Sequence, residues 1–84
     1  MDQRPDLRRE RRVAQLTHGQ YDELERAIRD RSRIAVYRRG TEYVLVPERL
    51  GLRNGREALE AVHPTTGDHL TLYIDEVDEI VVVR

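Results

Sequence analysis

The sequence predicts a mainly β fold, with one N-terminal α-helix followed by a five-stranded small barrel whose open end the helix caps. Three observations predict it. Five short apolar stretches follow one another between Arg33 and Arg84: Ile34 to Tyr37, Glu42 to Val46, Glu57 to His63, His69 to Ile74, and Ile80 to Val83. Turn-forming residues separate them. A single stretch with helical periodicity stands before the first.

Residues 1–16 read as a flexible, Arg-rich leader. Leu7, Val13 and Leu16 are too widely spaced to bury a face, and Arg8, Arg9, Arg11 and Arg12 read either as a solvated tail or as an arm for a phosphate backbone or an acidic partner. Residues 17–84 then form one helix-plus-five-strand domain. Thr17 is placed to cap a helix, and Gln20, three residues on, completes a capping box. Asp22 and Glu23 fall early and Arg29 and Arg31 late, as the helix dipole favours. Tyr21, Leu24, Ala27 and Ile28 form one apolar stripe, and the helix should end near Ser32.

The first two strands read as a hairpin turning at Arg38-Arg39-Gly40-Thr41, where Gly40 supplies a positive φ. Ile34 and Val36 should face one way, Ala35 and Tyr37 the other. Pro47 should stop the second strand, since proline cannot donate to a ladder. Residues 48–56 then read as a connecting loop anchored by Leu50 and Leu52, with a turn at Asn54-Gly55. The third strand alternates from Glu57 to His63, and Pro64 to Asp68 makes a tight connection. In the fourth strand Leu70, Leu72 and Ile74 should face the core, with His69, Thr71 and Tyr73 outward. Asp75 to Glu79 makes an acidic turn. The last strand, Ile80 to Val83, lacks polar alternation, so it is either buried on both faces or an edge that pairs with another copy.

Composition narrows the chemistry. In 84 residues there is room for one modest core, and with no Trp, Phe or Cys it must be aliphatic, with four Tyr at its margin. The lack of cysteine removes disulfides and thiolate chemistry. No apolar stretch approaches the roughly 18 residues of a membrane span, and the N-terminus has no signal-like apolar region, so a cytoplasmic location is expected. All the basic residues are Arg and none is Lys. Residues 1–39 hold eleven Arg against seven acids and residues 40–84 four against nine, a bipolar chain of net charge −1. A general nucleic-acid binder normally carries a basic surplus.

No catalytic constellation is readable. His63 and His69 flank the Pro64–Asp68 turn and are candidates to face each other across the hairpin, but a zinc site needs further ligands. Ser32 is the lone serine. The glycines around Asn54 precede no phosphate-binding helix. Asp75, Glu76, Asp78 and Glu79 match no calcium-loop spacing. No cofactor, no metal and no enzymatic activity are expected.

Binding surfaces are the better candidates. Arg33, Arg38 and Arg39 with Tyr37 and Tyr43 suggest a basic-aromatic patch around the first hairpin, the kind of surface that stacks and neutralises single-stranded nucleic acid. Arg49, Arg53 and Arg56 would extend it. The competing reading of these arginines is ion pairing with Glu42, Glu48 and Glu57.

From Leu24 onward the chain resembles a short WYL domain, the Sm-like and SH3-like barrel of many bacterial transcription regulators. The resemblance is carried by LERAIRDRSRIAVY, VLVPERL, LEAVHP and LYIDEVDEIVV, about sixty residues in all. Glu57-Ala58-Leu59 stands where that family has Trp-Tyr-Leu, and Glu76 where it has its closing Arg. The resemblance implies a barrel that senses nucleic acid or nucleotide-like ligands, with Tyr37, Pro47 and Leu59 at matching positions. The function expected is a non-enzymatic binding or regulatory module. It would act by association with a protein partner or a second copy through Ile80, Val81, Val82 and Val83. The alternative is a nucleic-acid or nucleotide-sensing barrel using the Arg and Tyr patch.

Overall fold

The computed structural model describes residues 16–83, so the rest of the Arg-rich leader and Arg84 lie outside the described residues. Helix α1, His18–Asp30, opens with the expected capping box. The Gln20 backbone N–H donates to the Thr17 hydroxyl at 3.2 Å, and the Thr17 backbone N–H donates to Gln20 Oε1 at 2.9 Å. The helix ends where Arg31 takes a left-handed conformation, φ 57°. Leu24 and Ala27 are its buried residues, and the helix packs on the second and fifth strands. Leu16, expected to belong to the leader, packs against the core instead. It sits immediately before the cap, where an apolar residue fixes the angle at which the chain enters a helix.

Five strands follow: β1 Arg33–Arg38, β2 Thr41–Arg53, β3 Arg56–Val62, β4 His69–Tyr73 and β5 Glu79–Val83. All pairs are antiparallel, in the order β4-β3-β2-β1-β5. No ladder joins β4 to β5, so the predicted closed barrel is instead an open sheet with two ends. A 3-10 turn, Ile74–Glu76, leads from β4 toward β5, and its Ile74 and the following Val77 are fully buried.

Strand β2 departs most from expectation. Pro47 does not end it, and the predicted loop of residues 48–56 is mostly strand. The first part of β2 pairs with β1 through Leu45, and the second with β3 from Val46 onward. Between them Pro47 faces Ala61 and Arg49 faces Glu60, leaving Glu48 as one extra residue. A bulge is one of the few places a sheet accepts proline. It also resets the alternation: Leu45 and Pro47 point to the core before it, and Leu50 does so after it. Without Glu48, Leu50 would turn to the opposite face.

The β1–β2 and β2–β3 hairpins turn in the same way. Arg39 and Gly40 have φ of 51° and 77°, and Asn54 and Gly55 have 56° and 74°. Positive φ at both central residues is the turn whose twist matches the flanking strands. The core under the sheet is aliphatic as composition requires: Leu24, Ala27, Ile34, Val36, Leu45, Leu59, Ala61, Leu72, Ile74 and Val77. Leu59 sits between Leu50 and Leu72 across the ladders, so three strands each contribute a leucine at one level. Leu52, the other expected anchor, is instead 75% exposed.

Candidate functional site: the β5 edge and the divided arginines

Strand β5 pairs with β1 on one side and, among the described residues, has no strand on the other. Its residues alternate. Ile80 and Val82 turn inward and pack against the core, while Glu79, Val81 and Val83 face out. The register sets three outward rows across the sheet. Glu79 lies beside Tyr37 and Glu42; Val81 lies beside Ala35 and Val44; Val83 lies beside Arg33. Ala35 is buried although it faces outward, because a valine stands on each side of it. Those valines stay open to solvent, with Val44 and Val81 each 42% exposed and Val83 45%.

Beneath β5 runs a shallow groove between the strand and α1, lined by Leu16, Gln20, Glu23, Leu24, Ile80 and Val82. The edge strand is therefore apolar on both faces, and from Ile80 to Val83 it carries no charge. Sheet edges are normally protected by lysine, proline, bulges or inward charges, and the Ile80–Val83 stretch has none of these.

The predicted basic-aromatic patch does not form one surface. Strand alternation puts Arg33 and Tyr37 on the outer face and Arg38 with Tyr43 on the inner side. Arg38 lies over the Tyr43 ring, 5.4 Å from its centroid, and its guanidinium is 4.0 Å from Glu76. Tyr37 donates its hydroxyl proton to Glu42 at 3.2 Å. That bond and the charge of Glu42 raise the phenol's pKa, with a smaller contribution from Glu79. Arg39 occupies the hairpin turn, where its backbone N–H donates to Asp78 at 3.2 Å.

The other three arginines are held by acids. Arg49 and Arg53 both reach Glu60 Oε2, at 3.2 and 2.9 Å, and together they lower its pKa. Arg56 donates to Asp75 through two nitrogens at 3.0 and 2.7 Å and to Glu76 at 3.1 Å. Its guanidinium also covers the Tyr73 ring at 4.0 Å. The bonds from Arg56 lower the Asp75 pKa, and those two acids raise that of Arg56. Ion pairing is thus the fate of these arginines, though with Glu60, Asp75 and Glu76 rather than Glu42, Glu48 and Glu57. The acidic turn is in this way tied to β3. Arg56 and Tyr73 meet only because β3 and β4 pair, a relationship no local pattern contains.

The two hairpin histidines do not face each other. His69 stands opposite Val62, and the His63 backbone N–H donates to the Asp68 carbonyl at 2.9 Å. His69 lies 3.5 Å from Glu48 instead. Among the described residues no three metal-ligating side chains gather, and no described helix is long and apolar enough to cross a membrane. Comparison with family models, with curated proteins and with solved structures returns no match.

Proposed function

We propose that this chain is a small binding module that works by protein–protein association, and that its working surface is the β5 edge. The reading treats the domain as a small barrel of the WYL-like, Sm-like kind left open between β4 and β5. The carrying observation is the combination of an edge that no strand among the described residues covers, an uncharged Ile80–Val83 run, and the exposed row of Val44, Val81 and Val83. An added strand would satisfy the free backbone groups and cover the valines together.

The arginines support this reading over nucleic-acid binding. Arg49, Arg53 and Arg56 are engaged by carboxylates, and Arg33 with Tyr37 faces away from Arg38 with Tyr43. The test is sedimentation velocity on the wild-type protein and on Val81→Arg, beside titration with single-stranded RNA and DNA at two salt concentrations. Concentration-dependent association that Val81→Arg abolishes supports the edge. A monomer at every concentration, with salt-sensitive nucleic-acid binding lost in Arg38→Glu and Arg39→Glu, replaces it with the alternative.

A further inference from the structure

Resting on the β5-edge reading, we infer that the partner is a second copy of this chain, joined β5 to β5 antiparallel about a two-fold axis through Val81. Two constraints select this arrangement. Residues directly opposite in a sheet point to the same face, so the register must match outward residues with outward and inward with inward. For a symmetric antiparallel pair, that allows axes through Ile80, Val81 or Val82 and forbids axes between residues. An axis through Ile80 sets Asp78 against the inward Val82. An axis through Val82 leaves Glu79 and Ile80 beyond the partner's described strand. Only the axis through Val81 pairs all five residues of Glu79–Val83.

In that register Val81 meets its own copy, Ile80 meets Val82 of the second copy, and Glu79 meets Val83. The inward pair extends the apolar floor of the groove lined by Leu16, Leu24, Ile80 and Val82. On the outer face the rows join end to end. The apolar row Val44, Ala35, Val81 continues into its own mirror. The acidic row of Glu42, Tyr37 and Glu79 runs into the row of Val83 and Arg33 of the second copy. Glu79 and that Arg33 are then two strand spacings apart, about 9–10 Å between Cα atoms, which two long side chains span. Both side chains are exposed. Within one chain the same two residues sit in separate rows at opposite ends of the β1–β5 ladder, so any coupling between them is intermolecular.

The absence of cysteine makes a register scan clean. Residues directly opposite have Cβ atoms about 4.5–5.5 Å apart, close enough for a disulfide or a short bis-maleimide bridge. Val81→Cys is expected to cross-link with itself. Glu79→Cys and Val83→Cys are expected to cross-link when mixed with each other and not alone. Separately, Glu79→Arg and Arg33→Glu should each weaken the dimer by about tenfold, two copies of an exposed pair being lost, and the double exchange should restore it. Cross-linking of Val81→Cys to Thr71→Cys on β4 would overturn the register in favour of head-to-tail assembly. A dimer by sedimentation with no Val81 self-cross-link and no charge-exchange rescue would overturn it while leaving the edge reading intact. A monomer would end both.

Discussion

Val81 lies directly across the β1–β5 ladder from Ala35, yet Ala35 is 4% exposed and Val81 42%. The two residues share a face. They differ because, among the described residues, Ala35 has a strand on either side and Val81 has one. That single missing neighbour is the origin of the proposed function, and it separates the consequences of changing the two positions. Val81→Arg should keep the fold, within about 0.5 kcal/mol of wild type in denaturant unfolding. Ala35→Asp, which buries a carboxylate between two valines, should cost about 2–4 kcal/mol.

The β1–β2 and β2–β3 hairpins share one turn geometry but not one sequence. Asn54-Gly55 is the dipeptide that geometry favours, whereas Arg39 holds φ 51° with a long side chain. Arg39→Asn should therefore stabilise the protein by about 0.5–1 kcal/mol, and the backbone bond from residue 39 to Asp78 is retained. Gly55→Ala, at φ 74°, should destabilise by about 1–2 kcal/mol. Thermal unfolding of the two variants reads both signs.

Glu48 matters by its presence in the chain more than by its side chain. Glu48→Ala should leave stability within about 0.5 kcal/mol. Deleting Glu48 removes the bulge and turns Leu50 and the rest of β2 to the wrong face. Circular dichroism should show the substituted protein folded and the deleted one unfolded.

The clamp of Arg56 on Asp75 and Glu76 predicts a pH dependence. The folded-state pKa of Asp75 is lowered, chiefly by hydrogen bonds from Arg56, and that of Glu60 by those from Arg49 and Arg53. A lowered carboxylate pKa contributes stability that is complete above the unfolded value, about 3.9 for Asp and 4.3 for Glu. It is lost as pH falls through the folded value. Arg56→Gln and Arg53→Gln should each flatten the acid limb of the stability curve, and added salt should do the same because the pairs are exposed. Tyr37 has the opposite sign. Its raised pKa gives stability that is present below about 10 and lost as pH rises through the folded value, so Tyr37→Phe should flatten the alkaline limb.

Local chemistry in the sequence was enough to place the helix, its capping box, the turns at Arg39-Gly40 and Asn54-Gly55, and the inward faces of β1 and β4. Each of those depends on residues within a few positions of one another. What local pattern misread was long-range. Pro47 is a stop signal in isolation, but here a bulge carries the strand past it to pair with β3. Val77 stands among four acids in the sequence, yet the turn swings it fully into the core. Arg33, Arg38, Tyr37 and Tyr43 are close along the chain, and alternation sends them to two sides of the sheet. The Ile80–Val83 run left two possibilities open, and only the strand order decides for an edge.

Amide hydrogen exchange measured as a function of protein concentration reports which sheet edge gains a partner. With association through β5, amides within Glu79–Val83 gain protection as concentration rises, while those of His69–Tyr73 on β4 do not change. Unchanged protection in β5 at concentrations where the protein associates, or a matching gain in β4, would contradict it.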